Sequence, residues 1–351
     1  MLSVYSPSKV NPPSSGSDLT LIQAKYRWGQ ATAVINDALF IHGGKTDQFN
    51  SYSYTSAPSN NDLLFLSLSA SFDPSSPPWQ LVSSSTNLST SQGPALAWHT
   101  LSAFNTTGIL LFGGLPDANS PTVLPDGADS AALLDVSSRL EPLWTIEPTS
   151  WAGEPIRRMH HSTSTTVDGL IYIIGGEKAD GSNNAMSDHY ILNPQVPSFT
   201  QLPTTNGPPD IFGHASIILS TGQLLVFGGY CPSEGTLVPF STIWAMDTTQ
   251  STLTWTTLTV SSSALPTPRR AFAAVLLDGG KILIHGGTDA TQQITYSDGW
   301  ILDTSQNPLV WTTVGALSQL GARLDHFAIA TGSQVIFGFG WSIYLSFTDT
   351  S

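Results

Sequence analysis

Cysteine is almost missing. Cys231 is the only one in 351 residues, so the chain can form no internal disulfide and hold no thiolate-rich metal site. Charge is scarce as well: Asp, Glu, Lys and Arg make up 11% of the sequence, well below the usual quarter. What charge there is leans one way, with 25 acids against 12 bases and a net of -13. No basic patch is left to neutralise phosphates or an anionic bilayer, which excludes nucleic acid as a partner and predicts no membrane contact. No apolar run approaches the roughly 20 residues of a spanning helix. The opening MLSVYSPSKVNPPSSGS carries no apolar signal core.

Hydrophobic residues are present in quantity, 40% of the chain, enough for one large all-β domain or two average ones. Their arrangement is periodic. ALFIHGG ends at Gly44, ILLFGG at Gly114, LIYIIGG at Gly176, LLVFGG at Gly229 and KILIHGG at Gly287. A sixth copy, QVIFGFG, is degenerate, with Gly338 followed by Phe339. A spacing of about 50 to 70 residues is that of one four-stranded propeller blade per copy. Upstream of each glycine pair stands one ring position: Gln30, His99, His161, His214, Phe272 and His326. Downstream comes a loop, a third strand and then an aromatic that opens a fourth: Trp79, Trp144, Phe199, Trp255 and Trp311. The glycines let the backbone turn with positive φ and approach its neighbour closely. The aromatics are expected to fill the gaps between adjacent blades.

These residues resemble the kelch repeat from residue 24 to about residue 348. The resemblance implies an all-β fold, a six-bladed kelch β-propeller most similar to the fungal galactose-oxidase-like kelch proteins. Blades are placed at 24-83, 95-148, 156-203, 211-259, 268-315 and 322-348, after a linker-like segment at 1-17. The last blade lacks a fourth strand, and DLTLIQ at 18-23 is assigned to that place, because a circular sheet must join its ends or leave two edges exposed.

Strand direction places the segments before each first strand on one face with the long post-glycine loops, and that face is the expected functional one. The first of these loops holds Phe49, Tyr52 and Tyr54, and the third holds Glu177, Lys178, Asp180, Asn183 and Asn184. Beside the ring positions five residues break the repeat: Trp28, Trp98, His160, Arg270 and Asp325. They are the candidate ligand-binding set, with indole faces to stack on a sugar and a charge of each sign to orient hydroxyls or a carboxylate. His99, His161, His214 and His326 would be the ligands of any metal in the channel. The reading favours histidines bonded to neighbouring backbone and packed between blades, so no metal and no cofactor is expected. His42 and His285 read as blade packing. Arg158, Arg269 and Arg323 read as repeat residues bonding loop carbonyls, and Asp62, Asp129, Asp188 and Asp298 as turn caps.

The resemblance brings a copper-radical oxidase to mind as an enzyme alternative, with a sugar-acid epimerase-like site at the channel mouth as another. The former needs paired Tyr and His ligands that have no counterpart here, and a shared fold does not transfer chemistry. A non-catalytic binding module is favoured: a monomer, on a fungal surface or secreted, taking a small polar ligand, a glycan or a protein. Asn87 and Asn105 lie in glycosylation sequons, as expected by chance in a chain so rich in Ser and Thr.

Overall fold

The computed structural model describes residues 27–47, 51–73, 76–84, 90–120, 131–146, 151–182 and 184–342. Nearly all of the regular structure is antiparallel sheet. The first sheet runs Ala31–Ile35, Ala38–His42, Leu63–Ser67, Gln80–Ser83 from the inside outward, each strand pairing with the next. Four more sheets repeat this order, starting at Leu96–Ala103, Ser162–Thr165, Ala215–Ile218 and Ala273–Leu277. The sixth glycine copy forms a two-stranded sheet, Phe327–Thr331 with Gln334–Gly338. Among the described residues there are therefore five complete blades rather than the six expected. The closing strand assigned to 18-23 lies outside the described residues, as do Phe49, Asn87, Asp129 and Asn183.

The innermost strands surround an axial channel, and a closed chain of backbone hydrogen bonds circles its mouth. Trp98 N–H donates to Gly29 O at 2.7 Å, His160 to Trp98 at 3.2 Å, and Gly213 to His160 at 2.8 Å. Ala271 donates to Gly213 at 2.8 Å, Asp325 to Ala271 at 3.0 Å, and Gly29 completes the circuit to Asp325 at 3.4 Å. Each of the six residues sits at or just before the start of an inner strand, Trp98 within the first residues of Leu96–Ala103, and has positive φ. Six repeats thus meet at the axis, and the two-stranded sheet takes its place between the fifth blade and the first.

The glycine pairs explain how neighbouring blades come so close. A Cβ on Gly43 would stand 2.6 Å from Leu96 O in the next blade. Gly44 N–H, meanwhile, donates to that same carbonyl at 2.7 Å. Gly176, Gly229 and Gly287 make the equivalent bond to Ile211, Arg269 and Arg323, and Gly340 makes it to Arg27 at 2.8 Å. This corrects the register of the sixth copy: the pair is Phe339–Gly340, with Phe339 in the left-handed conformation that the first glycine adopts elsewhere.

Side chains seal the same seams. Each ring histidine reaches the preceding blade: His99 Nε2 lies 3.0 Å from His42 Nδ1, and His326 Nε2 lies 3.0 Å from His285 Nδ1. His161 Nε2 meets Thr100 Oγ1 at 2.9 Å, and His214 Nε2 meets Ser162 Oγ at 2.8 Å. These partners are side chains, where backbone was expected from sequence, though His214 also interacts with the Ile174 backbone. The repeat aspartates also differ from expectation. Asp62, Asp188 and Asp298 form ion pairs with the buried Arg27, Arg158 and Arg269 rather than acting as plain turn caps. Arg158 and Arg269 also bond Gly175 O and Gly286 O, which ties the glycine turn to the loop that follows it. The fourth-strand aromatics are buried as expected, Trp144 among first-blade residues, Trp255 among third-blade residues and Trp311 among fourth-blade residues.

Two consequences can be measured. Trp255 is 3% exposed and its Nε1–H donates to Pro203 O at 2.8 Å. Trp255→Ala is expected to lower stability by about 3–5 kcal/mol in chemical denaturation, and a loss below about 1 kcal/mol would contradict the seam role. Burial pushes His99 and His214 down to about 3 and His189 and His285 down to about 4. The folded protein keeps these rings neutral where the unfolded chain, titrating near about 6.5, takes up protons. Stability is therefore whole above that pH and falls as the pH drops, by about 1.4 kcal/mol per pH unit for each histidine between roughly pH 6 and 4. His214→Gln is expected to flatten the slope of unfolding free energy against pH by that amount, and an unchanged slope would contradict it.

Candidate functional site

The segments that precede the inner strands pair with the post-glycine segments, so both sets lie on one face. Arg27–Trp28 runs antiparallel to Lys45–Thr46, and Arg158–Met159 to Glu177–Lys178. Single bridges join Phe212 to Tyr230, Arg270 to Thr288 and Leu324 to Trp341. The hydrogen-bonded circuit forms the floor of this face.

Four of the six circuit residues carry a side chain despite positive φ: Trp98 at 58°, His160 at 54°, Ala271 at 56° and Asp325 at 51°. The left-handed region costs a non-glycine residue about 1–2 kcal/mol. Gly29 and Gly213 make room for their neighbours. A Cβ on Gly29 would lie 2.8 Å from Trp98 Nε1, and one on Gly213 would lie 3.1 Å from Arg270 Cβ. The indole of Trp98 accordingly spans the first repeat and donates to Asp325 Oδ2 at 2.7 Å.

All five sequence-predicted residues meet in this region. Trp98 and His160 are in ring contact at 4.9 Å, and His160 Nδ1 lies 2.7 Å from Glu177 Oε1, which is itself buried. Trp28 stacks on Tyr54 at 6.4 Å, and its Nε1–H donates to Tyr54 O at 3.0 Å. Arg270 lies with its guanidinium 5.2 Å from the Phe212 ring centre. Neither Trp28 at 3% exposure nor Trp98 at 6% turns an open indole face outward, although the sequence reading gave both a sugar to stack on.

Tyr54 ties the group together, and sequence reading placed it only among loop aromatics. Its hydroxyl donates to Asp325 Oδ2, the oxygen that also takes the Trp98 bond. Burial first, and then the Asp325 carboxylate, push the Tyr54 hydroxyl well above its usual range, with Arg270 pulling the other way. Lys45 lies 5.2 Å from the Trp98 ring centre and donates from Nζ to Ala57 O at 2.6 Å. Burial lowers its pKa, against the pull of Asp117. The cluster of aromatics in the loop was the visible signal; its contacts with the neighbouring second and sixth repeats were not.

Beneath the circuit is a cavity of about 160 Å³ lined by Gln30, Trp98, His160, Asp325 and the ring histidines. The ring histidines are spread one per blade. Among the described residues no group of three or more His, Cys, Asp or Glu side chains is arranged to hold a metal ion. Nor is any described helix long and apolar enough to cross a membrane. Cys231 is buried, its Sγ 3.5 Å from Asp210 Oδ1.

Comparison with known proteins points the same way as the seams and the circuit. The chain is 30% identical to Adagio-like protein 1 of Oryza sativa subsp. japonica over 262 residues, 72% of this chain and 38% of that one. It is 27% identical to Adagio protein 3 of Arabidopsis thaliana, over 62% of this chain and 33% of the relative. It is also 27% identical to the flagellar outer arm dynein alpha chain of Chlamydomonas reinhardtii, over 53% of this chain and 4% of the relative. The chain thus spans less than two fifths of the length of these curated relatives. These are plant and algal proteins, so the expected likeness to fungal galactose-oxidase-like proteins is not what the matches show. The family model described as KLHDC2/KLHL20/DRC7 Kelch-repeats domain matches residues 98–340, and the chain belongs to that kelch-repeat family.

Proposed function

We propose that this kelch propeller is a protein-interaction module, and that its partner binds at the channel mouth over Trp28, Trp98, His160, Arg270 and Asp325. One observation carries the reading: positions suited to glycine are filled by Trp, His and Asp, each in a strained backbone conformation, and all converge on one opening. Strain of this kind persists where the surrounding structure holds it in place, and it clusters at binding sites. The buried indoles of Trp28 and Trp98 favour a protein over a glycan, because an outward-facing ring is what a sugar needs and these rings are covered. A rigid disc with variable loops supplies what a partner surface needs without any reaction.

A peptide library displayed on phage and selected on the purified chain provides the test. Arg270→Ala and Asp325→Asn are expected to weaken the selected peptides about tenfold or more, with Val167→Ser, on the opposite face, without effect. Peptides indifferent to both mouth substitutions, or lost with Val167→Ser, would place the surface elsewhere.

The finer architecture belongs to the same proposal: six blades, the sixth completed by 18-23. It is supported by the six-membered circuit and by the apolar cluster that joins Phe327, Ile329 and Ile336 to Leu39, Ile41 and Trp79 of the first blade. Deleting residues 1 to 23 is expected to lower the melting temperature and promote self-association. A truncated chain that melts like the full one would remove the closure.

A further inference from the structure

Three tryptophans of the mouth converge on one tyrosine. The Tyr54 ring lies 6.4 Å from that of Trp28, 5.5 Å from Trp98 and 5.4 Å from Trp341. Among the described residues no indole–indole ring contact joins the three. Tyr54 therefore occupies the space they enclose, and its hydroxyl ends on the Asp325 carboxylate. The surrounding loop shows the same insertion from outside: between residues 51 and 58 only Tyr54 and Ala57 are buried, while their neighbours face solvent.

Three indole rings around the Tyr54 ring, with a carboxylate at its hydroxyl end, make an environment for a cation. The ring quadrupoles attract positive charge, most strongly for Trp, and the carboxylate pairs with it at short range. Trp98 already receives one cation, the Lys45 ammonium. Tyrosine is the occupant that the chain itself can supply: a flat ring for the indoles and one donor for the acid. We propose that Trp28, Trp98, Trp341 and Asp325 form a cage for a cationic side chain of the protein partner, an alkylammonium or guanidinium, and that Tyr54 is its resident stand-in, displaced on binding. This rests on the interaction reading and adds the chemistry of the partner. Arg270 acts electrostatically on Tyr54 and opposes a bare cation, so a partner that also offers Arg270 an acceptor binds better than the cation alone.

Tetramethylammonium chloride is titrated against the wild-type chain, Tyr54→Ala and Tyr54→Ala/Asp325→Asn, with tryptophan fluorescence as the readout and sodium chloride at equal ionic strength as the reference. Tyr54→Ala is expected to bind at least about tenfold more tightly than wild type, and Asp325→Asn is expected to abolish the gain. Equal affinity in wild type and Tyr54→Ala, a gain that survives Asp325→Asn, or the same response to sodium chloride overturns the cage. Should Tyr54→Ala not melt cooperatively, Tyr54→Phe keeps the ring and removes its hydrogen bond to the carboxylate. A gain of about threefold is then expected, and no gain overturns the proposal. Peptides lost with Asp325→Asn in a protein that shows no cation binding remove the cage and leave the interaction surface standing.

Discussion

Six backbone hydrogen bonds around the channel mouth are the constraint on which the rest of the structure depends. Each joins residues of neighbouring repeats, from Gly29 round to Asp325 and back, and each requires positive φ at the residue that makes it. A circuit of this kind closes only when every repeat contributes the same turn. One repeat held out of place would break two of these hydrogen bonds at a partly buried mouth, at about 0.5–1.5 kcal/mol for each bond. The closure also places the side chains of those residues over a single opening. Fold and site therefore share one geometric origin.

Outside the circuit, the blades are joined by seams in which backbone approach and side-chain contact reinforce each other. The first glycine of a pair clears space for the next blade's carbonyl, and the second donates to it. The ring histidine then crosses the same seam to a hydroxyl or a second imidazole, and burial keeps it neutral. Further out, the fourth-strand aromatic fills the remaining gap. Few of these contacts involve charge, which is how a chain with so few ionisable residues builds a closed disc. Three of its buried charges, Arg27, Arg158 and Arg269, are each paired with a partly exposed aspartate beside a glycine turn.

The parts legible in the sequence are those set by short-range backbone geometry. Glycine pairs, strand ends and the seam aromatics recur at fixed offsets, and the candidate residues were found because they interrupt that pattern. What escaped reading depends on contacts across blades. The partner of His99 is fixed by which side chain the previous blade presents, here His42. The register of the sixth copy turns on Gly340 bonding to Arg27, more than 300 residues earlier in the chain. Tyr54 belongs to the same class: its hydroxyl meets Asp325 from the far end of the sequence, and nothing near position 54 announces it. Strain escaped as well, because a Trp or Asp in a left-handed conformation looks like any other residue until its backbone is seen.

Native-state amide hydrogen exchange at the circuit tests the account most directly. If the circuit holds the repeats together, the N–H groups of Gly29, Trp98, His160, Gly213, Ala271 and Asp325 exchange together, in the slowest class and with one shared opening free energy. Exchange of the Gly29 or Asp325 amide as fast as the outer-strand amides near Trp255 would show that the circuit opens independently of the blades, and would contradict it.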